Sequence, residues 1–192
     1  MTAEQITSQG SPQLLGAEEV RRIIWRLACE LREHHPQGDA VLCGIVTRGA
    51  FLAARLLQLV HQQGGANWSG VTLDVGPYRD DQPRPALDPQ ASFPLPPASA
   101  ASVRDRVVVL VDDVLFHGRT GRAALAALAE LGRPRAVELL VMVDRGHREL
   151  PLRASYVGRN LPTAEGDRVL VRLSECDEQD AVLLRPATEG RP

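Results

Sequence analysis

The chain has 192 residues, of which 44% are hydrophobic and 24% charged, and its formal net charge is −2. That length suits one domain with a substantial core, and the composition is that of an ordinary soluble globular protein. A balance so near neutrality excludes a global basic field for nucleic acid, so any phosphate or RNA binding must come from a local patch.

Residues 1–13 read as a loose tail, residues 14–185 as a single domain, and residues 186–192 as a second tail. From Ala17 to His34 the apolar residues Val20, Ile23, Ile24, Leu27 and Leu31 recur at helical spacing, with Arg22, Arg26 and Arg32 off that stripe. AVLCGIV (40–46) reads as a buried strand, and Thr47-Arg48-Gly49 as the turn after it. A second helix runs through FLAARLLQLVHQQ until Gly64-Gly65 stops it, and VTLDV (71–75) is another strand. Periodicity then fails from Gly76 to Asp105, a stretch holding seven of the 14 prolines. Irregular segments that long are usually lids or disordered in compact domains. Flanked by strands, residues 76–105 read as a flexible lid, with a plain surface excursion as the alternative.

VVVLV (107–111) is a buried strand, followed by Asp112, Asp113, a short loop with Gly118, Arg119 and Thr120, and an Ala/Leu-rich helix. AVELLVMV (136–143) is a further buried strand that runs into DRGHRELP. Shorter strands are expected near Ala154–Val157, Arg168–Leu173 and Ala181–Leu184. Alternation of strand and helix, with solidly apolar strands, predicts an α/β fold: a mostly parallel sheet with flanking helices on both faces. Such sheets bind ligands outside the carboxyl ends of their strands. Thr47-Arg48-Gly49, Asp112-Asp113 and Asp144-Arg145-Gly146 all fall there.

All 22 basic residues are arginine, so every cation is a planar fork suited to phosphate and base edges. Cys29, Cys43 and Cys176 lack metal-ligand spacing and read as reduced thiols, and no protein metal site is expected. The N-terminal MTAEQITSQG has no signal pattern and no apolar run approaches membrane length. The expected location is the cytoplasm.

Three readings compete for VDDVLFHGRTG (111–121). The acids could simply begin a turn and cap the next helix. A Walker B strand would need a partner P-loop with lysine, and the chain has neither. The third reading is a sugar-phosphate site. Main-chain N–H groups of a glycine-containing loop opening a helix point at an anion, and the helix dipole adds to the attraction. Two carboxylates just upstream are poor phosphate ligands and good acceptors for ribose hydroxyls.

The apolar strand, the two acids and the Gly-Arg-Thr loop together resemble the phosphoribosyl-pyrophosphate (PRPP) motif of the type I phosphoribosyltransferases. GIVTRG (44–49) looks like that family's pyrophosphate loop, and YRDD (78–81) like the start of its catalytic lid. The run VDRGHRELPLRASYVGRN (143–160) is similar to the branch that combines uracil phosphoribosyltransferase activity with attenuation of pyrimidine operons.

The resemblance implies the type I fold, the conversion of uracil and PRPP to UMP and diphosphate, and Mg2+ carried with PRPP but no organic cofactor. It makes Asp112, Asp113 and Arg79 catalytic. It places PRPP on Thr47, Arg48, Gly49 and the run Asp112, Asp113, Val114, Leu115, Phe116, His117, Gly118, Arg119, Thr120. Arg145, with the segment near Val169, would border the base; the alternative for Arg145 is an ion pair with Asp144.

His147, Arg148, Arg153 and Arg159 would contact a pyr mRNA leader stem-loop on a homodimer or higher oligomer. Binding would depend on UMP or UTP, and no membrane would be involved. Read without the family, those residues are a solvated face, and a phosphoribosyltransferase for another base with no RNA role is the alternative function. The chain departs from the usual pattern at Phe116-His117, where Tyr-Thr or Tyr-Ser is common, at Gly121, where Val is common, and at Gly76-Pro77.

Overall fold

The structure, a computed structural model, describes residues 12–80 and 92–187. Its centre is a five-stranded parallel sheet in the order β3-β2-β4-β5-β6: Ser69–Leu73, Ala40–Ile45, Val107–Leu115, Ala136–Asp144 and Tyr156–Asn160. β2 is buried along its whole length, as a strand covered on both faces must be. On one face lie α1 (Ala17–His34) and α2 (Arg48–Gln62), which pack Val20, Ile24, Leu27, Leu52 and Leu56 against Val109, Val111 and Met142. On the other lies α4 (Arg119–Leu131), whose Ala123, Ala124, Ala127 and Leu128 cover Val41, Cys43, Val108 and Leu110.

The expected α/β architecture is what the chain forms, with one addition. β1 (Gln13–Leu15), β8 (Ala181–Arg185) and β7 (Arg168–Arg172) make a separate three-stranded antiparallel sheet. Gln13 pairs with Leu183, so the first described strand is fastened by nearly the last one. Before β8 a short helix, α5 (Ser174–Asp177), turns towards α2, where Arg55 binds both Glu175 and Asp180.

Two local differences bear on function. β4 does not stop at Val111. It stays paired through the acids, with Asp112 opposite Val141 and Leu115 opposite Asp144, so both aspartates stand on extended, sheet-fixed backbone. The expected lid is anchored at both ends. Gly76–Tyr78 forms a 3-10 turn, the Thr72 amide donates to the Pro96 carbonyl at 2.7 Å, and a short helix α3 (Ala100–Val103) follows. The middle of the lid, residues 81–91, lies outside the described residues.

Candidate active site

β2, β4 and β5 are adjacent, so their carboxyl-end loops converge. From β2 the chain crosses outward to β3, and from β4 it crosses the other way to β5. The crevice at such a reversal is where open parallel sheets take ligands. The start of α2 is pressed against the end of β4: a Cβ on Gly49 would lie 2.2 Å from the Val111 carbonyl oxygen. Only glycine allows that approach. The Val46–Thr47 peptide, just before, is cis.

The phosphate loop is built around Gly118. Its φ of +93° places it in the left-handed region as the N-cap of α4, so Arg119 and Thr120 belong to the helix's first turn rather than to a loop. A cleft of about 120 Å³ opens here, walled by Arg79, Asp112, Val114, Leu115, Phe116, His117, Gly118, Arg119 and Thr120. Asp112 accepts from the Asp113 amide and Asp113 from the Val114 amide, both at 2.9 Å, which fixes each carboxylate over its own strand. Burial, reinforced by the charge of Asp113, pushes the Asp112 carboxyl well above the usual carboxylate range. Arg79, at the start of the lid, donates to the Thr120 hydroxyl at 3.1 Å. Of the residues singled out in this motif, all but Asp113 wall this cleft.

Other expected residues are placed differently. Arg48 grips Asp177 of α5 with two bonds, Nε to Oδ2 at 3.1 Å and Nη2 to Oδ1 at 2.7 Å. A diphosphate at the Thr47–Gly49 turn would therefore compete with a resident carboxylate, a partner that nothing local in the sequence announces.

Arg145 stands apart from these side chains. It is only 4% exposed, stacks over the Phe116 ring at 3.9 Å and donates to Thr163 Oγ1 and the Ala164 carbonyl. It stands behind the cleft wall rather than in it, and burial lowers its pKa. Nor does it pair with Asp144, whose carboxylate takes Arg148 instead. Val169 is likewise buried in the core of the main cluster.

Arg148 is likewise engaged within the molecule. It reads as a surface RNA contact, yet its guanidinium donates to the carbonyls of Leu152, Phe116 and Gly146 as well as to Asp144. The reason is the shape of the turn. Gly146 and His147 are both left-handed, at φ +78° and +54°, and fold residues 148–150 back onto the phosphate loop. His147 itself binds the Thr163 carbonyl at 2.7 Å.

Arg153 and Arg159 do reach the surface. Arg153 lines a groove with His34, Tyr156 and Asn160, while Arg159 lines another with Arg22 and Arg26 of α1. Trp25, 51% exposed, stands on the same helix between those arginines. The helical periodicity leaves Trp25 off the apolar stripe, a signal that could have picked it out.

Among the described residues no group of three His, Cys, Asp or Glu could hold a metal ion, and no helix is long and apolar enough to cross a membrane.

Comparison with known proteins agrees with this geometry. Residues 11–168 match the family model described as the phosphoribosyl transferase domain. "Bifunctional protein PyrR" of Streptomyces coelicolor is 45% identical, covering 99% of this chain and 98% of its own length. The protein of that name in Bacillus velezensis is 41% identical over 89% of this chain and 94% of its own. Among solved structures, a hypoxanthine phosphoribosyltransferase of Trypanosoma cruzi superposes with a TM-score of 0.67 at 16% identity, covering 91% of each chain. With the fold, the acid pair and the left-handed glycine at the helix start all in place, the chain belongs to the phosphoribosyl transferase domain family and, within it, to the bifunctional PyrR proteins.

Proposed function

We propose that the protein transfers the phosphoribosyl group of PRPP to uracil, giving UMP and diphosphate, and also binds a pyr mRNA leader stem-loop in response to UMP or UTP. One domain, residues 14–185 with a lid at 76–105, carries both activities in the cytoplasm. The carrying observation is the single cleft that joins Asp112, the start of α4 after left-handed Gly118, and Arg79.

Asp112 and Asp113 would accept the ribose 2′ and 3′ hydroxyls. The amides of Gly118, Arg119 and Thr120 would hold the 5′-phosphate, with the helix dipole in support. The turn Thr47–Gly49 would receive the diphosphate as the uracil nitrogen attacks C1′. Charge develops on the sugar as an oxocarbenium-like centre, so the protein's task is positioning and electrostatic complementarity. Arg79 already spans from the lid to Thr120, and closure behind it keeps out the water that would hydrolyse PRPP. Two adjacent carboxylates whose like charges oppose each other suit a cation brought in with the substrate. Mg2+ bound to PRPP would be held beside Asp112 and Asp113 and would neutralise diphosphate charge.

His117 tests how the phosphate loop works. Its Nδ1 faces Glu149 at 3.2 Å and its buried Nε2 has no hydrogen-bond partner among the described residues. Thr supplies a hydroxyl at this position, so His117→Thr should leave PRPP affinity unchanged or improved. A loss of about ten-fold, roughly 1.4 kcal/mol, would show that the loop depends on the imidazole.

The RNA function rests on the surface carrying Arg22, Trp25, Arg26, Arg153 and Arg159. Arginine forks with an exposed aromatic suit unpaired bases and phosphates of an RNA loop. A dimer would double this surface. The experiment is filter binding of pyr leader RNA with and without UMP, beside a uracil phosphoribosyltransferase assay. Nucleotide-dependent RNA binding together with UMP formation is expected. Turnover of a different base with no RNA binding would overturn the proposal.

A further inference from the structure

One side chain connects the two activities, and the inference drawn from it rests on the function proposed above. Glu149 lies in the segment that the left-handed turn at Gly146-His147 folds back. Its carboxylate takes Arg119 Nε at 2.8 Å and Arg119 Nη2 at 2.5 Å through one oxygen, and faces His117 Nδ1 at 3.2 Å through the other. Arg119 and His117 flank Gly118, the residue that opens α4. Asp80 also approaches Arg119, but only to 3.6 Å, and pairs more closely with Arg122 at 3.0 Å. Both side chains that flank Gly118 therefore meet one carboxylate from another segment.

The backbone makes the same connection. The amides of Glu149 and Leu150 both donate to the His117 carbonyl, at 3.1 and 3.2 Å, while Arg148 donates to the Phe116 carbonyl at 2.8 Å. Residues 148–150 and the loop 116–119 are thus one unit. Four positions beyond Glu149 stands Arg153, on the open groove with Asn160. Arg148 Nε donates to the Leu152 carbonyl and the Leu152 amide to the Leu150 carbonyl, so the hydrogen bonds of this unit reach the residue next to Arg153.

We infer that Glu149 is the positioning residue that holds Arg119 and His117 while the phosphate loop is empty, and that its displacement by a nucleotide phosphate carries the loop's occupancy to the RNA-binding segment. The physical reason is competition. A phosphate on the amides of α4 brings nearly two negative charges beside Arg119, whose charge Glu149 already neutralises. Glu149 and Arg119 are about two-fifths exposed, 41% and 37%, and an ion pair so placed is weak enough to yield to a dianion. Coupling between sites needs such an element, with different partners in the two states, and it is necessarily reciprocal.

The test uses the full chain and the isosteric, uncharged variant Glu149→Gln. UMP affinity is titrated directly, and leader-RNA affinity is measured by filter binding with and without UMP. In the wild type, UMP should tighten RNA binding by about five-fold or more. The variant should bind UMP more tightly than wild type, because the competing charge is gone. UMP should then alter its RNA affinity by less than about two-fold.

Wild-type coupling that persists undiminished in Glu149→Gln overturns the inference and leaves the proposed function standing. Weaker binding of both UMP and RNA in the variant also overturns it, since that marks a residue with only a structural role. A wild-type protein with no UMP-dependent RNA binding overturns the proposed regulatory function and this inference together.

Discussion

Asp112→Asn and Asp113→Asn should each lower kcat/KM for UMP formation about a hundred-fold or more, the scale of losing a preorganised charge beside a developing one. Both aspartates stand on backbone paired to β5, so the substitutions should leave the fold intact. Asparagine also keeps the oxygen that accepts the next amide. What it removes is the negative charge that orders two ribose hydroxyls and faces a cationic sugar in the transition state.

Asp112→Asn should in addition be more stable than wild type at neutral pH. An unfolded aspartate ionises near pH 4, roughly 3.9. In the folded chain burial and then the Asp113 charge hold the Asp112 proton to a higher pH. Between those two values the folded state binds more protons than the unfolded one, so stability falls as pH rises through that window. The penalty grows through that window, and an uncharged amide escapes it. The gap in thermal midpoint between variant and wild type should close as pH falls below the unfolded carboxylate's value. A pair of fully active variants would return these acids to a capping role. A variant at Asp112 that melts lower at neutral pH would show that the carboxylate's charge is matched within the fold.

The parts legible in the sequence are those whose signal is local. Val107–Val111, the acids, Gly118 and the alanine-rich helix form a continuous run, and each piece carries its own cue: an apolar strand, charges at its carboxyl end, a residue free to take positive φ, a helical stripe. β2 and α1 are legible for the same reason. What escaped is decided by partners far away in the chain. β1 is three residues long and becomes a strand only because β8 pairs with it. Arg48 reads as a free cation until α5 brings Asp177 to it. Arg145 and Arg148 look like a basic surface in sequence, but two left-handed residues turn that segment inward. The strand end at Val111 was misjudged because charged residues normally signal a strand's exit, whereas here the sheet carries them to the site.

That same distinction selects the residues on which RNA binding should depend. Arg148 is a weaker choice, because its donors already serve Leu152, Phe116 and Asp144. Arg153 and Arg159 are exposed, and so is Trp25, which falls between Arg22 and Arg26 in the sequence of α1. Arg26 is held in place by the Val157 and Gly158 carbonyls, which joins α1 to β6 and makes one surface of the two elements. Each arginine that meets a phosphate releases counterions. Arg153→Gln and Arg159→Gln should therefore each reduce the slope of log affinity against log salt by about 0.7 to 0.9. Trp25→Ala should act differently. Loss of a stacked base costs about 1–3 kcal/mol, so affinity should drop roughly five-fold or more with the salt slope unchanged, because no charge is lost. The measurement is filter binding of leader RNA across a salt series, with UMP formation as the control for an intact catalytic site. Should all three variants keep wild-type affinity and slope, this surface is no more than a solvated face of α1 and β6. The RNA would then have to be held elsewhere on the molecule or not at all.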